Sequence, residues 1–158
     1  MYRILVFSDS HGNIEYMKKA IDGIRDISVI VHLGDLTRDI NKIMTKYPDY
    51  RYEIVSGNCD FVSIEDDERI FELGGYKFLI AHGHKFGVKI STDYLIKYAK
   101  KMGVDCVMYG HTHISECEFD DGLLVMNPGC GSLYRESYGV VEIEDEMKAD
   151  IIEMRGTL

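Results

Sequence analysis

The stretch RILVFSDSHGN, residues 3 to 13, decides the fold because it leads from an apolar segment through a polar loop into a helix. Residues 3 to 7 are a continuous apolar run, which is typical of a strand that is covered on both faces. Asn13 at the end of the loop is a favourable N-cap for the helix. Apolar side chains then recur at intervals of three and four residues and predict an amphipathic helix; they are Ile14, Met17, Ile21 and Ile24.

The alternation of strand and helix continues from this stretch. Strands are predicted at 28 to 33 and 52 to 55, with a helix between them marked by Ile40, Ile43 and Met44, so the first half reads β-α-β-α-β. In the second half, strands 69 to 73 and 77 to 81 form a hairpin through the turn GGY. A helix at 92 to 102 precedes a strand at 106 to 109, and the short strands that follow are 115 to 119, 123 to 127, 138 to 143 and 149 to 154. We expect two packed sheets flanked by helices.

The composition limits the classes of protein to which the chain can belong. At 158 residues, with 46% hydrophobic and 28% charged residues, it is expected to form one globular domain, residues 1 to 158. The apolar run at the start of the chain, residues 3 to 7, is far too short for a secretory signal or a membrane span and is expected to form a core strand. Four widely spaced cysteines without a CxxC pair indicate reduced thiols, and a cytoplasmic location is expected. The formal net charge of -9, with no basic stripe, argues against a nucleic acid polymer as partner.

Metal-type side chains occur in five clusters, and each cluster follows an apolar strand. The clusters are Asp9 with His11, Asp35, Asn58 with Asp60, His82 with His84, and His111 with His113. Ligand sites of α/β sheets collect in the loops beyond the carboxyl ends of the strands. A glycine lies within or beside each cluster, where it permits sharp turns and close approach to a bound group.

These clusters have a structural and a functional interpretation. A single histidine at a strand end is more often a satisfied core or capping residue than a ligand, and Gly-Asp alone is an ordinary turn. Five such strand ends together would bury uncompensated polar groups, at a cost of about 1 to 3 kcal/mol each, unless a cation binds them. Carboxylate, amide and imidazole donors without cysteine favour divalent transition metals that keep open positions, and two ions would use about this many donors. We therefore favour a catalytic metal site.

Taken in order, the five clusters resemble the motifs of the calcineurin-like metallophosphoesterase superfamily, D-x-H, G-D, G-N-H-[DE], H-G-H and G-H-x-H. In this chain they read Asp9-Ser10-His11, Gly34-Asp35, Gly57-Asn58-Cys59-Asp60, His82-Gly83-His84 and Gly110-His111-Thr112-His113. The segment NPGCGS, 127 to 132, is similar to the N-P-G-S segment of the small phosphodiesterase branch. Five motifs in this order are a specific signal, whereas any one of them would not be.

The resemblance implies an α/β fold, a four-layer αββα sandwich of two mixed β-sheets flanked by helices, with a dinuclear metal site. It implies that one ion is bound by Asp9, His11 and His113. It implies that the other ion is bound by Asn58, His82 and His111, and that Asp35 bridges the two ions. Manganese is favoured, with nickel, iron, cobalt and zinc as alternatives. In an extended segment, residues two apart point the same way, so His111 and His113 could serve neighbouring ions about 3.5 to 4 Å apart.

The activity that the resemblance implies is hydrolysis of small phosphodiesters by a hydroxide formed from a water that the two ions share. The predicted catalytic residues are Asp35, Asn58 and His84, although His84 could equally be a solvent-facing loop residue. Cys59 stands where many members have the histidine thought to protonate the leaving group, and a thiol of pKa about 8.5 suits that task poorly. We therefore predict a preference for phosphodiesters over ordinary phosphomonoesters.

Four further residues have predicted roles. Asp60 is a candidate acceptor for the second N–H of a ligating imidazole, with stabilisation of its own turn as the alternative. His32, inside the second strand, is interpreted as structural. Asn127 and Arg135 are candidates for the pocket wall, and the Arg135 guanidinium could bind phosphate oxygens in bidentate fashion.

The alternative function is that of a non-catalytic scaffold. The retromer subunit resembles these phosphodiesterases in fold but has an altered set of metal-site residues and works through protein binding, whereas this chain keeps every metal-type position. A nuclease of the same superfamily is a third alternative, but such members usually carry DNA-binding domains and a basic surface. The expected partner is thus a small phosphodiester, without a membrane, and a homo-oligomer is compatible with the sequence.

Overall fold

The computed structural model describes residues 1–154, which form ten strands, three α-helices and one 3-10 turn, His84–Phe86. The strands are β1 (Tyr2–Phe7), β2 (Val29–His32), β3 (Arg51–Ile54), β4 (Glu68–Leu73), β5 (Tyr76–Ala81), β6 (Cys106–Met108), β7 (Glu116–Asp120), β8 (Leu123–Asn127), β9 (Glu136–Ile143) and β10 (Met147–Met154). The α-helices are α1 (Glu15–Gly23), α2 (Thr37–Lys46) and α3 (Asp93–Lys101).

The strands form two five-stranded mixed sheets. The first sheet has the order β10-β9-β1-β2-β3, in which β1, β2 and β3 run parallel and β9 and β10 are antiparallel to their neighbours. The second has the order β4-β5-β6-β8-β7, in which β5, β6 and β8 run parallel and the edge strands β4 and β7 are antiparallel. The loops with the five polar clusters follow the parallel strands β1, β2, β3, β5 and β6.

Strand β1 shows why its sequence is apolar throughout. Ile4 and Val6 belong to the core between the two sheets, whereas Leu5 and Phe7 belong to the core between the first sheet and its helices. Because side chains alternate along a strand, a strand covered on both faces needs an uninterrupted apolar run. Full burial of one such side chain stabilises the fold by about 1.5 to 3 kcal/mol.

The helices cover the outer faces of the two sheets. Helices α1 and α2 cover the outer face of the first sheet through residues such as Met17 and Ile40. Helix α3 covers the second sheet through Leu95 and Ala99. The predicted four-layer αββα sandwich of two mixed sheets is confirmed, and each predicted strand boundary agrees within two residues.

The predicted start of the first helix is wrong. Helix α1 begins at Glu15 after Ile14, and no side chain caps it. The Asn13 amide instead donates hydrogen bonds to the Gly131 carbonyl and to a Glu136 carboxylate oxygen, both at 2.9 Å. Because two acceptors from the β8–β9 segment engage this amide, it holds the loop after β1 rather than the N–H groups of the helix.

The turn of the β4–β5 hairpin is shorter than predicted. It consists of Gly74 and Gly75, which both have left-handed φ angles, and Tyr76 already belongs to β5. Two consecutive left-handed residues are what a two-residue turn between twisted strands requires. Among the helices of residues 1–154, none has both the length and the hydropathy needed to cross a membrane.

Candidate metal centre

Two groups of metal-type donors meet where the parallel strands end, and Asp35 belongs to both. The first group consists of Asp9, His11, Asp35 and His113, and the second of Asp35, His82 and His111. Within each group, one donor atom from every residue lies within 4.8 Å of the others. Asn58 joins the second group, since its Oδ1 lies 3.0 Å from His82 Nε2. The fold thus brings together every side chain that was predicted to be a metal ligand.

The Asp9 carboxylate is fully buried and is held through only one of its two oxygens. Oδ2 accepts hydrogen bonds from the Ser8 hydroxyl at 2.5 Å and from the His111 N–H at 3.0 Å. Within residues 1–154, Oδ1 has no aligned hydrogen-bond donor, although His113 Nε2 lies 3.1 Å away and His82 Nε2 lies 3.9 Å away. A buried acceptor oxygen among imidazole nitrogens is what a cation between them would stabilise. These residues therefore fit a divalent metal ion.

The imidazole nitrogens converge on the same space. His11 Nε2 lies 3.3 Å from His113 Nε2, and His82 Nε2 lies 3.2 Å from His111 Nδ1. His82 Nδ1 is 2.8 Å from the Leu33 carbonyl oxygen, so in the neutral ring Nδ1–H donates to that oxygen and the Nε2 lone pair faces the other donors. Ligating histidines usually make this kind of hydrogen bond with their second nitrogen.

The electrostatics of the site favour ionised carboxylates. Burial raises the pKa of Asp9 and Asp35, but His113 and His82 outweigh it and hold the pKa of both carboxyls below the usual range. Burial and the charge of His82 lower the pKa of His111, which keeps that ring neutral. Contact with Asp9 raises the pKa of His113, and the two carboxylates raise that of His82 despite its burial. Cation binding at these two rings therefore competes with protons.

The backbone of the candidate ligands is unusual. Five of them have left-handed conformations, with φ angles of 51° at Asp9, 46° at His11, 58° at Asp35, 69° at His111 and 63° at His113. Such conformations cost about 1 to 3 kcal/mol for each non-glycine residue and cluster at functional sites. The predicted extended conformation at 111 to 113 is therefore wrong. His111 and His113 reach different donor groups because the chain turns sharply there.

Glycines allow the loops to approach one another. A Cβ atom at Gly110 would overlap the Ser8 hydroxyl and approach Asp9 Oδ2 to 2.6 Å. A Cβ atom at Gly57 would overlap the Asp35 carboxylate. These glycines are needed because the carboxylates sit directly against the neighbouring loop.

Asp60 orders the loops, which is the second of its two predicted alternatives. Its Oδ2 accepts hydrogen bonds from the N–H groups of Gly57 at 2.7 Å and Asp35 at 2.9 Å. Its Oδ1 accepts the N–H of Thr37, the first residue of α2, at 2.8 Å. With three backbone donors on its carboxylate, Asp60 fixes the loops after β2 and β3 against each other and against the helix.

His32 is structural, as predicted. It is fully buried, accepts the Gly34 N–H at Nδ1 at 3.2 Å, and places Nε2 3.1 Å from the Ser10 hydroxyl oxygen. The Ser10 hydroxyl donates in turn to Asp39 Oδ2 at 2.8 Å. Burial lowers the pKa of His32 to about 4, so the ring is neutral at neutral pH.

Asn127 does not line the pocket as predicted, whereas the predicted role of Arg135 stays a prediction. Asn127 is fully buried and donates to the Gly110 carbonyl at 3.2 Å and to the Thr112 hydroxyl at 2.9 Å, so it supports the loop of His111 and His113 from below. A buried amide with satisfied hydrogen bonds has no surface to offer a substrate, and its predicted role is wrong. Arg135 is exposed on the segment between β8 and β9.

His84 lies beside the second donor group. Its ring centroid is 5.4 Å from that of His82 and 6.1 Å from that of His111, and its Nδ1 is buried without a hydrogen-bond partner in residues 1–154. Cys59 is exposed, and its N–H donates to Asp35 Oδ1 at 3.0 Å. Partial burial and the Asp35 charge raise the pKa of the Cys59 thiol, so it keeps its proton at neutral pH.

Sequence reasoning missed Lys89, whose positive charge contributes to lowering the pKa of His111 and opposes the raised pKa of His113. It also missed a pocket of about 570 Å³ that His84 lines together with Phe86, Tyr94 and Tyr98. The sequence feature that could have indicated this pocket is the spacing of Tyr94 and Tyr98, which lie one helical turn apart on α3 and therefore on the same side of the helix.

Comparisons with known proteins agree with this geometry. Residues 2–146 match the model of the calcineurin-like phosphoesterase superfamily domain. The chain is 33% identical over 149 residues to a probable metallophosphoesterase of Bacillus subtilis, YsnB, covering 90% of this chain and 85% of the relative. It is 29% identical over 177 residues to a phosphodiesterase of Methanocaldococcus jannaschii, covering 95% of this chain and 98% of the relative.

One solved structure has a similar fold. Wild-type Vps29 from Entamoeba histolytica, complexed with zinc, has a TM-score of 0.76 and 20% identity, covering 96% of this chain and 98% of that chain. At this identity the likeness is one of fold alone.

Proposed function

We propose that this chain, which belongs to the calcineurin-like phosphoesterase superfamily, is a divalent-metal-dependent phosphodiesterase that holds two ions in one site. The observation that carries the proposal is the shared position of Asp35, which belongs to both donor groups. The proposed ligands of the first ion are Asp9, His11 and His113. The proposed ligands of the second ion are Asn58, His82 and His111, and Asp35 is the proposed bridge between the two ions. Manganese is the favoured ion, with nickel, iron, cobalt and zinc as alternatives.

The chain's own residues mainly orient the metal ligands and position the substrate. When bound, the ions would lower the pKa of a water molecule and neutralise phosphoryl oxygens. His82 presents its Nε2 lone pair because Leu33 O holds its other nitrogen, and Asp60 holds the backbone of Asp35. The proposed role of His84 is contact with one ester group of a substrate, which is supported by the 5.4 Å between its ring centroid and that of His82.

The leaving group decides which esters are good substrates. Cys59 stands where many members of the superfamily have a histidine, and a protonated thiol with a raised pKa is a weak proton donor. A nitrophenolate leaves without a proton, whereas an alkoxide does not. We therefore expect activated diesters to react well and ordinary phosphomonoesters to react weakly.

The test is hydrolysis of bis(4-nitrophenyl) phosphate and of 4-nitrophenyl phosphate, which share one leaving group, after chelation and re-addition of single metals. We expect chelation to abolish activity, manganese to restore it, and the diester to be preferred. Equal or faster turnover of the monoester would contradict the diester preference. A protein that binds metal but hydrolyses neither ester under any ion would contradict the enzyme.

The second candidate function is that of a protein-binding scaffold, and one exposed apolar loop favours it. Phe61, Val62 and Ile64 are 91%, 94% and 98% exposed on the loop that follows Asp60. Exposed apolar side chains in sequence are a feature of protein-binding surfaces. The same metal titration separates the two functions, because the scaffold predicts bound metal without hydrolysis.

A further inference from the structure

We propose that the pocket beside His84 binds a nucleobase that is part of one ester group of the phosphodiester substrate. The inference rests on the proposed function and adds the substrate class to it. The site would therefore take a nucleoside phosphodiester rather than a diester of two simple alcohols.

The pocket adjoins the candidate metal centre at His84. It has a volume of about 570 Å³ and is lined by Gly83 and His84, the residues directly after His82. The rings of His82 and His84 lie 5.4 Å apart between centroids, so His84 belongs to the pocket wall and also lies beside the second donor group. A phosphate on the metal side could thus extend one ester group past His84 into the pocket. Volumes of about 300 to 1,000 Å³ are usual for small-molecule sites.

One wall of the pocket is aromatic. Phe86 packs against Tyr94 and Tyr98, with ring centroids 5.5 Å and 5.3 Å apart. Tyr94 is 61% exposed, so its ring is free to meet a ligand. Planar bases stack on such side chains, and each stacked base contributes about 5- to 150-fold in affinity when measured by alanine substitution.

The lining also carries hydrogen-bond acceptors. They are the carboxylates of Asp66, Asp67 and Glu68, of which Glu68 accepts the Tyr98 hydroxyl at 3.0 Å. Lys85 lines the same pocket and is paired with Asp67. Carboxylates would repel a second phosphate but accept hydrogen bonds from a ring N–H or an exocyclic amino group. A base such as adenine matches both the aromatic rings and the carboxylates, whereas a polyphosphate does not.

The test uses two diesters with one leaving group, adenosine 5′-(4-nitrophenyl phosphate) and methyl 4-nitrophenyl phosphate, with the manganese-loaded enzyme. We expect kcat/KM for the adenosine ester to exceed that for the methyl ester by about 5- to 150-fold. In Tyr94→Ala this ratio should fall about tenfold while the methyl ester is unaffected, and Tyr94→Phe should keep the ratio. Phe119→Ala, which removes an exposed ring on the far edge strand β7, is the matched control.

Each result decides between the claims. A ratio near one in the wild type, with the methyl ester hydrolysed, would overturn the nucleobase pocket and leave the phosphodiesterase intact. An equal loss on both esters in Tyr94→Ala would place the nitrophenyl group in the pocket and would also overturn the inference. If neither ester is hydrolysed, the proposed function fails and the inference fails with it.

Discussion

Replacing Asp60 by Asn tests whether this carboxylate holds the metal-site loops together. The three backbone N–H groups on its oxygens come from Gly57, Asp35 and Thr37, at 2.7, 2.9 and 2.8 Å. An asparagine side chain keeps one acceptor oxygen and places an NH₂ group where the other oxygen was. In either orientation, at least one backbone donor loses its acceptor and the bonds that remain lose their charge.

The size of the effect follows from this count of hydrogen bonds. A hydrogen bond to a charged group contributes about 1.5 to 3 kcal/mol, against about 0.5 to 1.5 kcal/mol for a neutral one. Losing one of these three bonds and weakening the other two should lower the free energy of unfolding by at least about 2 to 4 kcal/mol. At roughly 2 to 4 °C per kcal/mol for a domain of this size, Tm should fall by about 4 to 16 °C.

Thermal unfolding followed by circular dichroism in EDTA measures this loss, and calorimetric titration with manganese measures its effect on the site. We expect manganese affinity to fall by about 10- to 100-fold, because Asp60 holds the backbone of Asp35, which belongs to both donor groups. Asp145→Asn, in the exposed turn between β9 and β10, makes the same chemical change without these contacts and should change neither quantity. An Asp60→Asn protein with a Tm within about 2 °C of the wild type and unchanged manganese affinity would refute the role of Asp60.

Three further outcomes can be measured. Asp35→Asn should lower kcat/KM for bis(4-nitrophenyl) phosphate by about 100-fold or more, because it weakens both donor groups; a loss below tenfold would count against a bridging role. Cys59→His should raise turnover of diesters with alkoxide leaving groups by about 100-fold, the lower range for general acid catalysis, and leave nitrophenyl esters nearly unchanged; equal gains on both substrates would argue against proton donation. His32 has a folded-state pKa of about 4, below the value of about 6.5 expected in the unfolded chain, so the unfolded state binds more protons between these values. Stability is therefore lost as pH falls through this window. From pH 7 to pH 5 in EDTA, the wild type should lose about 2 kcal/mol more than His32→Gln, and parallel unfolding curves would show that His32 is not protonated on unfolding.

The layers of the fold and the members of the site could be predicted because they depend on local patterns. The apolar run of β1 contains residues for two different cores, and this run is visible in the sequence before any contact is known. The polar clusters follow the strands directly, so parallel strands bring them together whatever the loops do.

The conformation of the loops could not be predicted because it depends on contacts between distant segments. Asp9 and His111 are left-handed in a site where the His111 N–H reaches the Asp9 carboxylate, 102 residues away in sequence. Asn13 has the sequence features of an N-cap, but its amide donates a hydrogen bond to Glu136, the first residue of β9. Asn127 has the sequence features of a pocket residue, but its buried amide donates to the Gly110 carbonyl and supports the loop of His111. The hydrogen-bond partners of these side chains come from segments that are distant in sequence, and a short sequence motif does not specify such partners.

Metal binding alone does not separate catalysis from scaffolding, because the proposed enzyme and the alternative scaffold would both bind an ion. Access of a substrate to the ions does separate them. The side chains of Asp9, Asp35 and His82 are almost completely buried, whereas those of His11 and His113 are 41% and 45% exposed. A structural ion is closed in by its ligands, and a catalytic ion keeps a position open to water and substrate. Here Asp9, Asp35 and His82 lie inside, whereas the two histidines of the first group border solvent, and this asymmetry favours a site that admits a phosphate ester.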